Sequence, residues 1–153
     1  MRIARAVAAV VVAGAAVAAA SAASTPLSKA QYIGKLRAAN AASAKADNAA
    51  GTAMASKTAS PAQIKALFLA MGKVHVAIGR EFAAMTPPKV AAKANADLAR
   101  AEIVFGEQNE AIAAKLPTNR ASLRAYLASL KPPSGGRLLD RAIAELHTAG
   151  FRI

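Results

Sequence analysis

SPAQIKALFLAMGKVHVAIGREFAAM, residues 60–85, decides the fold. Ser60 with Gln63 three residues later forms a capping box, and Pro61 takes the first helical position, where its missing N–H costs nothing. Beyond it Ile64, Leu67, Phe68, Met71, Val74, Ile78, Phe82 and Met85 recur at spacings of three and four. That is the stripe of an amphipathic helix with one buried face. Thr86-Pro87-Pro88 then breaks the chain, and Val90, Ala94, Leu98, Ala101, Phe105, Ile112 and Leu116 give a second stripe running to about Lys115. A break of three residues between two long helices makes them an antiparallel pair.

Working outward, Ser28 and Gln31 form another capping box, with Leu27 and Tyr32 at the two positions of a hydrophobic staple. The helix they open is expected to run from Lys29 to Lys57. Its inner stripe after Leu36 is Ala39, Ala42, Ala46, Ala49 or Ala50, and Ala53, with Met54 the one larger side chain. Small side chains let helices approach toward the lower end of the usual ~8–10 Å spacing, but they bury little area. The half of this helix around Gly51 is therefore expected to be the softest part of the molecule. Leu116-Pro117-Thr118 makes the next break, and a short helix from Asn119 to Leu130 carries Leu123, Leu127 and Leu130. After Lys131-Pro132-Pro133-Ser134-Gly135-Gly136, a last helix from Arg137 to Ala149 carries Leu138, Leu139, Ala142, Ile143 and Leu146, and Gly150 closes it. The expected fold is all-α, an antiparallel helical bundle of four to five helices.

The start of the chain reads as a leader. Arg2 and Arg5 precede an uncharged run from Ala6 to Ala20, and Ala20-Ser21-Ala22 supplies small residues for cleavage. The expected organisation is a secretory signal peptide over residues 1–22 and a single helical-bundle domain over residues 23–153; retention of the run as a membrane anchor is the alternative. The sequence contains no cysteine, so neither a lipid-anchoring thiol nor a disulfide is available. Twenty lysines and arginines against eight acids give a formal net charge of +12. In an exported protein such a field favours anionic partners, namely envelope polymers or lipid head groups.

Catalytic patterns are missing from the sequence. No Glu-x-x-His pair offers a di-metal site, and no serine, histidine and acid cluster along the chain. His75 has no carboxylate within four residues, and His147 follows Glu145 by two. Both read as surface or boundary histidines. Met71 and His75 lie four apart and share one side of their helix, a thioether and an imidazole that copper or haem would accept, although methionine in a stripe ordinarily fills core space. Glu107 and Glu110 share a helical face in a polar patch expected to meet water. Lys93 with Asp97 and Arg141 with Glu145 fit surface pairs one turn apart. Lys115, Arg120, Arg124, Lys131 and Arg137 follow one another with no acid between Glu110 and Asp140. Arg120, Arg124 and Lys131 on the short helix, with Arg137 and Arg141 on the next, form the candidate anion-binding face. Tyr126 is the lone aromatic near them, too little for single-stranded nucleic acid.

Two resemblances are carried by short words. Lys45-Ala46-Asp47-Asn48-Ala49-Ala50 and Thr86-Pro87-Pro88-Lys89 resemble segments of small exported haem-binding four-helix bundles of the cytochrome b type, but no methionine opens the first helix to face a histidine near the end of the last. Leu27-Ser28-Lys29-Ala30-Gln31-Tyr32-Ile33, the Thr86-Pro87-Pro88 corner and the closing Ala149-Gly150-Phe151-Arg152-Ile153 are similar to a group of uncharacterised exported actinobacterial small helical proteins. That resemblance implies a cysteine in the first helix and another at the C-terminus. Here Asn40 stands near the first position and the sequence ends at Ile153 before the second, so Phe151 and Ile153 would hold the tail by packing. The sequence thus predicts no cofactor, no metal and no catalysis, and an exported envelope protein that binds anionic partners. A small haem- or metal-binding carrier and a periplasmic-type holdase, opening its first helix to expose the apolar stripes, are the alternatives.

Overall fold

A computed structural model describes residues 25–152; the expected signal peptide over residues 1–22 and Ile153 lie outside the described residues. The all-α expectation is borne out, with five α-helices and no strand among those residues: α1 (Lys29–Ala55), α2 (Pro61–Ala84), α3 (Ala92–Lys115), α4 (Arg120–Ser129) and α5 (Ser134–Thr148). A single 3-10 turn, Lys89–Ala91, leads into α3.

Both capping boxes form. Gln31 N–H donates to Ser28 Oγ at 3.3 Å while Ser28 N–H donates to Gln31 Oε1 at 2.9 Å, and Ser60 with Gln63 repeats the exchange at 3.2 and 2.8 Å. At α4, Asn119 is the cap, its Oδ1 accepting from Ser122 N–H at 2.8 Å. The last helix begins three residues earlier than expected, through Gly135 and Gly136. Glycine is a poor helix former, but Gln108 of α3 compensates by accepting from Gly135 N–H at 3.0 Å and donating to Ser134 Oγ at 2.6 Å. Gly150, at φ 83°, takes the left-handed position that ends α5 and turns Phe151 inward.

Among the helices, α2 packs most extensively on α3, followed by α3 on α5 and α1 on α2. Along α2 and α3, Gly72 opposes Gly106 and Gly79 opposes Ala99 so closely that a Cβ built on Gly106 would lie 2.5 Å from the Gly72 carbonyl oxygen. Lys35 of α1 reaches Glu81 of α2 at 2.8 Å, and Lys93 of α3 reaches Glu145 of α5 at 2.8 Å. Tyr32 near the start of α1 packs edge-on against Phe151 beyond the end of α5, with ring centroids 5.2 Å apart.

The apolar side chains fall into two clusters. One joins Tyr32, Leu36, Ile78, Phe82, Leu98, Leu146 and Phe151. The other joins Ala50, Ile64, Phe68, Met71, Ala113, Leu116 and Leu123, with Tyr126 and Leu127 of α4 packed against it. Val90, expected on the inner stripe, is 74% exposed, because the 3-10 turn after Pro88 rotates it outward and buries Ala91 instead. Ala42 is likewise exposed, and Met54 is nearly half so. Between Leu36 and Ala50, helix α1 has no buried residue at all.

Candidate functional site

His75 corrects the sequence reading most directly. It is 2% exposed, lying between the two apolar clusters on the buried face of α2. The carboxylates missing from its own helix come from two others. Its Nδ1–H donates to Glu102 Oε2 of α3 at 2.5 Å, and its Nε2–H donates to Asp47 Oδ1 of α1 at 3.0 Å. The Phe105 ring meets the imidazole edge to face, with centroids 4.6 Å apart. Burial opposes a charge on the ring, but the hydrogen bonds to Asp47 and Glu102 outweigh it and raise the His75 pKa to about 9. At neutral pH the group is an imidazolium between two carboxylates.

A half-open cavity of about 270 Å³ adjoins this triad. Helix α1 creates it by default: Asn40, Ser43 and Asp47 recur at spacings of three and four where a filled core would need leucines. Leu98, Glu102 and Phe105 of α3 form another part of the lining, and Leu139, Asp140 and Ile143 of α5 a third. Apolar side chains outnumber the polar ones in the lining, and the polar groups come from all four helices: Asn40, Ser43 and Asp47 of α1, His75 of α2, Glu102 of α3 and Asp140 of α5. Asp47 has a side chain 45% exposed and connects the buried imidazolium to the opening.

This arrangement limits the chemistry. With both ring nitrogens engaged by carboxylates, His75 takes up a proton from a substrate or ligates a metal only by giving up one of those hydrogen bonds. Met71, its expected companion ligand, packs in the second apolar cluster. Among the described residues, no group of three or more histidines and acids is arranged to hold a metal ion. What the triad supplies is a fixed, charged wall.

Of the five residues of the candidate anion-binding face, Arg120 and Arg141 have neighbours of their own. Arg120 turns its guanidinium to the carbonyl oxygens of Lys57 and Ala59, bracing the α1–α2 connection. Arg141 borders a hollow that it shares with Asp97 and Glu145. Glu145 pairs with Lys93 rather than with Arg141, and the expected Lys93–Asp97 contact is present at 2.7 Å. Arg124, Lys131 and Arg137 are exposed and make no ion pair among the described residues.

The triad left only a partial trace in the sequence. His75 stands seven residues from both Phe68 and Phe82, and Glu102 stands between Leu98 and Phe105, both in step with apolar stripes. Asp47 left none, since it stands beside the alanine stripe of α1 and not in it. No protein family, curated protein or solved structure matches this chain.

Proposed function

We propose that this chain is an exported, non-catalytic binding protein, an antiparallel helical bundle that takes a small ligand into the cavity beside His75. The observation that carries this reading is the composition of that cavity: apolar side chains from α1, α3 and α5 around a few polar groups, of which Asp47, His75 and Glu102 are held by their mutual hydrogen bonds. Small-molecule sites combine a mostly apolar hollow with a few fixed polar groups. The volume suits a compact molecule rather than a haem.

In a fragment screen followed by protein NMR, hits are expected to move the amides of Asn40, Ser43, Leu139 and Ile143. Ala39→Leu, which fills the cavity from α1, is expected to abolish those shifts while leaving the helical spectrum intact. Hits that cluster elsewhere, or survive Ala39→Leu, overturn the reading.

A second reading concerns where the protein resides. Arg124, Lys131 and Arg137, exposed and without acidic partners, support attachment to anionic envelope polymers or lipid head groups. Replacing the three with glutamine is expected to reduce retention on anionic phospholipid vesicles several-fold at low salt, with the difference fading as salt is raised. Retention equal to that of the unaltered protein sinks this reading. Arg120 is left unchanged because its contacts brace the fold.

A further inference from the structure

We infer that the cavity beside His75 selects a small organic cation, one bearing a primary ammonium group on a compact apolar body. This rests on the reading of the cavity as a ligand site and names the class of ligand. The chain holds 20 lysines and arginines against eight acids, so a hollow placed at random would be lined mainly by positive charge. This one is lined by Asp47, Glu102 and Asp140 and by no lysine or arginine.

The charged groups facing the hollow are Asp47 from α1, His75 from α2, Glu102 from α3 and Asp140 from α5. The imidazolium offsets one of the three carboxylates, leaving two negative charges uncompensated. The Asp140 side chain makes no hydrogen bond or ion pair among the described residues, so its oxygens are open to an incoming donor. Asn40 and Ser43 add further acceptors along α1. An ammonium group presents only donors and matches a rim of acceptors. Leu36, Leu98, Leu139 and Ile143 accommodate the apolar remainder.

The positive surface elsewhere repels such a ligand at long range, but the field inside the hollow is set by the groups that line it. Surface charges more than about 10 Å away are screened at physiological salt.

The test uses three probes of one shape and different charge: phenethylammonium, 2-phenylethanol and phenylacetate, each titrated into the full-length mature protein at pH 7 and about 0.15 M salt and followed by the amide shifts of the cavity residues. The ammonium probe is expected to bind at least tenfold more tightly than the alcohol, and phenylacetate not to enter. Asp140→Asn, an exposed substitution on α5, is expected to weaken the ammonium probe at least fivefold and leave the alcohol unchanged. Equal binding of ammonium and alcohol, or indifference to Asp140→Asn, overturns the cation assignment while the cavity reading stands. Phenylacetate entering the cavity more tightly than the ammonium overturns it in the same way. Shifts that persist in Ala39→Leu overturn the cavity reading itself.

Discussion

Glu102→Ala is expected to cost about 3–5 kcal/mol of folding stability at pH 7, the range for removing one partner of a buried ion pair. The side chain of Glu102 is 9% exposed and accepts the shorter of the two His75 hydrogen bonds. Without it the imidazolium, itself 2% exposed, keeps one partner, and that partner is half in water. The ring then sheds its proton and leaves Nδ1 unsatisfied in an apolar setting. Asp47→Asn removes the exposed member instead, where solvent screens the charge and water can replace the lost acceptor, and is expected to cost about 1 kcal/mol. Urea denaturation of the two variants checks the order; an Asp47→Asn loss equal to that of Glu102→Ala contradicts the argument.

The same triad sets a pH dependence. The folded pKa of His75, about 9, lies above the ~6.5 of an unfolded histidine. The folded state therefore holds the proton more tightly, and the stabilisation is complete below about pH 6.5 and fades as pH rises through 9. The expected decline is on the order of 1–3 kcal/mol, discounted because Asp47 is partly solvated. In His75→Leu the dependence over that window is expected to flatten. A flat profile in the unaltered protein overturns the imidazolium assignment.

Gly106→Ala is the other large effect, a net loss of about 2 kcal/mol or more despite alanine's better helix propensity. The added methyl would sit 2.5 Å from the Gly72 carbonyl oxygen, 2.7 Å from Val76 Cγ2 and 2.9 Å from Val76 N. Two of those three atoms belong to backbone, so no rotamer change relieves the contact and α2 and α3 must separate. Overpacking of this kind typically costs 1–3 kcal/mol and sometimes more, against a propensity gain of about 1 kcal/mol. Gly34 and Gly51 provide the opposite sign. A Cβ at either meets nothing within 4 Å, so Gly34→Ala and Gly51→Ala are each expected to stabilise by about 0.5–1 kcal/mol. Thermal denaturation of the three variants reads the contrast directly.

Helix positions were legible because they depend on local chemistry. Ser28, Ser60 and Asn119 are caps, Pro61 and the Pro87-Pro88 pair set boundaries, and Gly150 stops α5; each acts within four residues of itself. The start of α5 was illegible, since it depends on Gln108 from another helix. The stripes of α2 and α3 were legible for their large residues, while the glycines at 72, 79 and 106 escaped notice because hydrophobic patterning gives no weight to a missing side chain. The site was hidden for a third reason. His75 finds its carboxylates at positions 47 and 102, twenty-eight and twenty-seven residues away, and Asp47 lies beside the inner stripe of an alanine-rich α1, where a charged residue ordinarily meets water.

That last point changes the meaning of the charged layer between the two apolar clusters. A helix built mostly of alanine offers its neighbours nearly the same smooth surface at every turn, so shifted alignments of α1 on α2 differ little in buried area. A slip of one turn, about 5.4 Å, would carry Asp47 out of reach of His75 and leave the ring's Nε2–H without its acceptor. The triad thus acts as an indexing pin: sliding, rather than melting, is the failure it guards against.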